Sequence, residues 1–140
     1  MITATRYHDF AAGHRVYGHE GKCAHPHGHG YRVHFTVGPV VGLDRVGRVL
    51  DFSVINTLLC QWLEENWDHK FLVWQDDPWA GVLYDLDPDG VVLVPFNPTA
   101  ELMARYLVQH IAPQQLQGTE CVLVSCTIEE TRKCSATFAL

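Results

Sequence analysis

Cys23, His25, His27 and His29 place one thiol and three imidazoles within seven residues, Cys-Ala-His-Pro-His-Gly-His. A thiol beside several imidazoles suits transition-metal binding or proton transfer, because neutral histidine is ligand-ready near pH 7. His27 and His29 are two apart. On a strand that spacing puts both on one face, roughly 6–7 Å apart. Two imidazoles so placed can converge on one ion at a Zn–N distance of about 2.0–2.1 Å. His14 is a third candidate from an earlier strand. Three neutral imidazoles with one open position describe a catalytic zinc site, not a closed structural one. Such an ion polarises hydroxyl or carbonyl oxygens of a substrate. His25 competes on parity, but Pro26 interrupts the strand between them, so it is set aside. Cys23 is open between ligand, buried thiol and reactive base, with a nearby dication and Lys22 favouring its thiolate form.

The strands that must present these groups are legible as alternation. Across residues 2–16, Ile2, Ala4, Phe10, Ala12 and His14 share one parity, which predicts a strand carrying His14 near its end on the apolar face. Residues 17–26 form a loop punctuated by glycine and proline. Across 27–38, His27, His29, Tyr31, Val33, Phe35 and Val37 share a face, so the two imidazoles continue an apolar surface. A hairpin of these strands brings His14 beside them. Arg48–Phe52 resembles a short strand end. Apolar residues at helical spacing predict an amphipathic helix over 53–66. The stretch 75–90, with Asp76, Asp77, Asp85, Asp87 and Asp89, is expected to be a long acidic surface loop. Val91–Phe96 is expected to be a short strand. Asn97-Pro98 is read as an N-cap followed by proline at the first helical position, opening a second helix that ends at Pro113. Residues 119–130 form another strand, with Val122, Val124, Cys126, Ile128 and Glu130 on one face. Cys134–Leu140 is the last. The order β-β-α-(β)-α-β-β predicts an α+β domain, an antiparallel sheet with two helices on one face.

Composition bounds the possibilities. The 140 residues are read as a single domain spanning 1–140. An apolar fraction of 47% excludes disorder, and a net charge of −6 argues against a nucleic-acid partner. No apolar run approaches the roughly 20 residues of a membrane span, so no membrane partner is expected. Five cysteines with no evident secretion signal suggest reduced thiols and a cytoplasmic location. Of these, Cys60, Cys121, Cys126 and Cys134 sit in helix or strand patterns and are assigned to packing.

Further chemistry lies outside the cluster. Asp68-His69 pairs a carboxylate with an imidazole, which together make an acid–base relay. Glu130 closes an apolar strand face and can accept two hydrogen bonds from a guanidine-like edge of a heterocycle. Arg15, Lys22, Lys70, Arg132 and Lys133 are candidates to hold an anionic tail. His19, His34 and His110 are assigned to surface or packing.

Phe10-Ala11-Ala12-Gly13-His14-Arg15, Cys-x-x-x-His-Gly-His at 23–29, Leu50-Asp51-Phe52, Asp68-His69-Lys70-Phe71-Leu72, Asn97-Pro98-Thr99-Ala100-Glu101 and Glu130-Thr131 together resemble the 6-pyruvoyl-tetrahydropterin synthase family. They run in family order over nearly the whole chain. The three-residue spacer before His-Gly-His is similar to the bacterial 6-carboxy-tetrahydropterin synthase branch. The resemblance implies a tunnelling fold (T-fold), in which the sheets of three subunits close a barrel and trimers stack, giving a homotrimer or homohexamer. It implies Zn2+ on His14, His27 and His29, and Cys23 as the proton-abstracting thiolate with Asp68 and His69 as relay. It implies Glu130 anchoring the amino-pyrimidine edge of a pterin, with Thr99 nearby. The implied substrate is 7,8-dihydroneopterin triphosphate, converted to 6-carboxy-tetrahydropterin in 7-deazaguanine (queuosine-type) biosynthesis. The alternatives are 6-pyruvoyl-tetrahydropterin formation and a zinc-bearing pterin- or purine-binding module without turnover. Pro26, Gly30 and Trp67 depart from the family's usual leucine, asparagine and leucine, and are expected to alter the pocket wall.

Overall fold

Strands β1 (Ala4–His14) and β2 (His27–Pro39) pair antiparallel from Ala4 opposite Val37 to His14 opposite His27, in a computed structural model that describes residues 1–140. The expected hairpin is thus present. Its register sets His14 directly opposite His27 and Ala12 opposite His29. Directly opposed residues have Cβ atoms about 4.5–5.5 Å apart, so the pairing itself gathers the imidazoles. Alternation holds as read: Phe10, Ala12, His14, Tyr31, Val33, Phe35 and Val37 are buried on the helix-covered face, while Ala11, Gly28 and Gly30 lie on the open face.

Helix α1 (residues 52–66) follows, with a π-turn over Asn56–Cys60, and Asp51 caps it by accepting from Ser53 N–H. Residues 48–51 form no strand, because Asp51 is committed to that cap and to Arg48. Next come β3 (Phe71–Trp74), α2 (Ala80–Leu86) and β4 (Val91–Val94). Helix α3 (residues 100–115) carries its own π-turn over Leu107–Ile111. The Gln115 amide donates to the Leu58 carbonyl (2.8 Å), tying the two π-turned helices together. β5 (Cys121–Glu129) and β6 (Ser135–Ala139) close the chain.

The six strands form one sheet in the order β4-β3-β1-β2-β5-β6. The α+β class and two long helices on one face match the sequence reading, and the structure adds a mixed sheet. β3 runs parallel to β1 and to β4. Parallel neighbours need a crossover connection, which is why the acidic stretch folds into α2 and is not one long loop. β3 escapes the alternation test because its central residues, Leu72 and Val73, are both buried. In β5 a bulge at Val124 shifts the register against Thr36 and Val37. Before it Leu123 faces the core; after it Cys126 and Ile128 do. Val122 and Val124 therefore do not share the face of Cys126, contrary to the simple parity reading.

Helix α3 begins later than Asn97-Pro98 suggests. The Asn97 side chain accepts from Tyr17 N–H (3.1 Å) and donates to the Tyr17 carbonyl (2.9 Å), so it clamps the loop after β1. The cap passes to Thr99, whose hydroxyl accepts from Leu102 N–H. Pro113 lies within the last turn and does not end the helix. The core includes Phe10, Tyr31, Trp67, Leu72, Met103 and Leu123. Trp67 is buried there, within aromatic contact of Phe10, Trp62 and Tyr106.

Candidate metal centre and its surroundings

The side-chain nitrogens of His14, His27 and His29 lie within 4.8 Å of one another at the end of the sheet where β1 and β2 begin and finish their ladder. His14 is fully buried; the other two are half-buried. Backbone carbonyls orient two of the rings. His14 Nδ1–H donates to the Pro98 carbonyl (2.7 Å), and His27 Nδ1–H donates to the His25 carbonyl (2.6 Å). A carbonyl only accepts, so each Nδ1 carries the proton and each Nε2 of the neutral ring presents a lone pair. Those two Nε2 atoms face each other at 3.1 Å. His29 Nε2 is buried and has no hydrogen-bond partner. Two acceptor nitrogens facing each other beside an unpartnered third suit a cation among them. Ligands about 2.0–2.1 Å from one tetrahedral ion sit roughly 3.3–3.4 Å apart, so the donor set fits a divalent metal. Carbonyl-anchored Nδ1 atoms are the usual support of a metal-bound imidazole. His25 contributes its carbonyl, while its exposed ring stays outside the group.

Electrostatics agree with neutral ligands. Burial pushes the His14 pKa down to about 4, the Pro98 hydrogen bond opposes that, and repulsion from His27 and His29 adds to it. Burial lowers His29 as well, against the attraction of Glu130. Glu130, the residue after β5, has its Oε1 3.7 Å from Nε2 of both His14 and His29, so this carboxylate faces the triad. Glu129 points the other way and pairs with His34.

Cys23 is half-buried on the short 3-10 turn Lys22–Ala24. Its carbonyl accepts from Val16 N–H (2.8 Å). Arg15 holds the same turn through Ala24 O (3.4 Å), with its guanidinium bidentate on Asp77 (2.6 and 2.8 Å) and 3.6 Å from the Trp79 ring centroid. Both charged groups are buried. Arg15 is therefore committed to Asp77, which corrects its candidacy for an anionic tail, and Asp77 is an internal strut. Lys70 Nζ likewise donates to the Asp89 carbonyl (2.7 Å).

Asp68 and His69 are hydrogen-bonded to each other (2.8 Å), as the relay reading requires. Burial alone would raise the Asp68 pKa, but hydrogen bonds from Ala11 N–H and His69 outweigh it and hold it below the ordinary carboxylate value. His69 adopts a left-handed backbone, φ +60°, where the chain leaves α1 and docks its N–H on Ala11 O. Strained non-glycine positions of this kind cluster at functional sites. The His69 side chain is 81% exposed and bonds to Asp68, not to any triad histidine. It lines a groove of about 560 Å³ floored by Ala11, Gly13, Gly28 and Gly30. A Cβ on Gly30 would meet no atom within 4 Å, so the departure at 30 leaves that floor open.

The sequence reading missed Tyr31. It sits on the histidine face, fully buried, with a hydroxyl that has no partner. Burial and the charges of Glu130 and Cys23 push its pKa upward, so the phenol stays a donor. The signal was available: His27, His29 and Tyr31 share one parity. Thr99 caps α3 beside Pro98, and its hydroxyl hydrogen remains free to donate.

Comparison with known proteins agrees with this geometry. A family model described as 6-pyruvoyl tetrahydropterin synthase matches residues 3–139. A protein of Rickettsia typhi named 6-carboxy-5,6,7,8-tetrahydropterin synthase is 35% identical over 96% of this chain and 97% of its own. A Halobacterium salinarum protein named probable 6-carboxy-5,6,7,8-tetrahydropterin synthase is 33% identical over 86% of this chain and 75% of its own. A solved Wolinella succinogenes structure superposes with a TM-score of 0.84 at 23% identity, covering 99% of this chain and 97% of that one. The Caenorhabditis elegans 6-pyruvoyl tetrahydropterin synthase does so at 0.68 and 24% identity, covering 99% and 95%. These two show that the fold is the T-fold. A family model and a close relative that each span almost the whole chain leave one assignment: the chain belongs to the 6-pyruvoyl tetrahydropterin synthase family.

Proposed function

We propose that this chain is a zinc-dependent carbon–carbon lyase. In this reading it converts 7,8-dihydroneopterin triphosphate and water to 6-carboxy-5,6,7,8-tetrahydropterin, acetaldehyde and triphosphate, in 7-deazaguanine (queuosine) biosynthesis. The observation that carries the reading is the pair of carbonyl-anchored imidazoles whose Nε2 lone pairs face each other at 3.1 Å. The names of the relatives and the three-residue spacer after Cys23 support the carboxy branch.

His14, His27 and His29 would hold the zinc, with a position left open for substrate. Bound zinc supplies Lewis-acid polarisation of the substrate's side-chain hydroxyl oxygens. Glu130 accepts hydrogen bonds from the amino-pyrimidine edge and fixes the ring beside the triad. Thr99 adds a hydroxyl donor next to the Pro98 carbonyl that orients His14. Cys23 removes a proton from a side-chain carbon, and the Asp68–His69 pair moves protons to and from the reacting atoms, Asp68 fixing the imidazole. Because His69 is turned to the exposed groove, the pair is proposed to serve the triad of another copy in a homotrimer or homohexamer. No helix is long and apolar enough to cross a membrane. Five free thiols suit a reducing compartment, so we place the enzyme in the cytoplasm.

The deciding experiment quantifies zinc and identifies the products in one sample of purified protein given dihydroneopterin triphosphate. Acetaldehyde with a carboxylated pterin supports the reading. A product that keeps its side-chain carbons points to 6-pyruvoyl-tetrahydropterin formation, and binding without any product to a non-catalytic module.

A further inference from the structure

The turn that carries Cys23, Lys22–Ala24, buries none of its residues. A segment with no side chain in the core is held chiefly by its backbone hydrogen bonds. Two of these reach it from the residues just after β1. Val16 N–H donates to the Cys23 carbonyl (2.8 Å), and Arg15 Nη1–H donates to the Ala24 carbonyl (3.4 Å).

The longer of these bonds comes from a group that cannot drift. The other Arg15 donors, Nε and Nη2, are fixed on the two oxygens of Asp77 (2.6 and 2.8 Å), and the Trp79 ring covers the guanidinium. Asp77 is fixed in turn. Its Oδ1 accepts from Trp79 N–H (2.8 Å), and its own N–H donates to the Trp74 carbonyl at the end of β3 (2.9 Å). A buried ion pair often stabilises no more than apolar residues of the same volume. Apolar residues, however, cannot grip a carbonyl. The flanking residues complete the frame. His14 belongs to the triad, and Asn97 clamps the backbone of Tyr17 next to Pro98, whose carbonyl orients His14. Residues 14–17 thus tie the triad and the Cys23 turn to one another.

We propose that Arg15 and Asp77 are positioning residues: the guanidinium, locked on Asp77, holds the Lys22–Ala24 turn so that the Cys23 thiol keeps its place beside the histidine triad. This rests on the reading of Cys23 as the proton-removing base. A displacement of about 1 Å in a group that must meet a substrate carbon costs on the order of 100-fold in rate. Glu130 and the triad do not depend on the turn, so binding is spared.

The test compares Arg15→Lys, and Arg15→Met combined with Asp77→Leu, with the parent protein, each as the full zinc-loaded chain. Neither variant strands a buried charge. Lysine keeps a cation on Asp77 but lacks the fork that spans Asp77 and Ala24 together; the double variant replaces the pair by apolar groups. Zinc content, the Kd of 7,8-dihydroneopterin, kcat and KM for the triphosphate, and amide hydrogen exchange at Val16 and Val40 are measured. Val40 N–H bonds the Glu120 carbonyl beyond the other end of β2 and reports on the fold as a whole. The expected result in both variants is parent zinc, Kd and KM, with kcat lowered by about 10- to 100-fold. Exchange at Val16 should quicken by about 2- to 12-fold, the worth of one hydrogen bond, while Val40 stays unchanged. A parent-like kcat in either variant overturns the proposal. So does loss of zinc, which assigns Arg15 to holding His14, or exchange that rises equally at both amides, which makes the pair a stabiliser of the whole fold. If the parent protein turns over no dihydroneopterin triphosphate, the lyase reading fails on its own account. Exchange at Val16 then decides the positioning role, and an unchanged rate overturns it.

Discussion

His14 Nε2 and His27 Nε2 lie 3.1 Å apart, and the Nδ1 of each ring is held by a backbone carbonyl. A metal ion between them would be held by both nitrogens. His27→Ala should therefore lower bound zinc from about one ion per chain toward none, since three ligands are the minimum for such a site. His25→Ala should leave it unchanged, because only the His25 carbonyl is used. Metal analysis of dialysed protein reads both, and zinc retained by His27→Ala would refute the ligand set.

Stability of the metal-free chain should depend on pH through His14. Its folded pKa is depressed to about 4, against about 6.5 for the unfolded side chain. Between those values the unfolded chain binds more protons, so stability falls as pH drops from about 6.5 and levels off below about 4. His29 acts in the same direction. Urea midpoints of chelator-treated protein measure this, and His14→Asn should flatten the slope.

Breaking the buried Arg15–Asp77 pair should cost more than removing any surface ion pair. Asp77→Ala leaves a buried guanidinium uncompensated and should lose about 3–5 kcal/mol. The double variant Arg15→Met with Asp77→Leu should recover much of that loss. Denaturant unfolding decides it; equal losses in the single and double variants would contradict the argument.

Glu130→Ala should weaken dihydroneopterin binding by about 1.5–3 kcal/mol, the range for a hydrogen bond to a charged group, or on the order of 10- to 100-fold. Glu129→Ala should change it by no more than about twofold, since Glu129 pairs with His34 on the opposite face. Comparable losses in both would remove the case for Glu130.

Cys23→Ala should keep zinc and dihydroneopterin affinity while abolishing turnover. Neither the carbonyl-anchored histidines nor Glu130 depends on its thiol for position. Turnover that survives in this variant would dismiss the thiolate as base.

The sequence alone grouped the three histidines that could hold a metal ion. His14, His27 and His29 were recoverable because strand alternation has a period of two and the hairpin register follows from the apolar faces. The same parity placed Glu130 toward the triad and Glu129 away from it. Tertiary structure decided what pattern does not encode. The bulge at Val124 shifts parity inside β5. The parallel β3 is too short to alternate. Asp77 looked like one more surface carboxylate until folding brought it to Arg15, 62 positions away. The Pro98 carbonyl that sets the His14 tautomer lies 84 residues from it, and the unpaired Tyr31 hydroxyl is visible only once every neighbour has been placed. Periodic burial is written locally, but which donor meets which acceptor is a property of the packed chain.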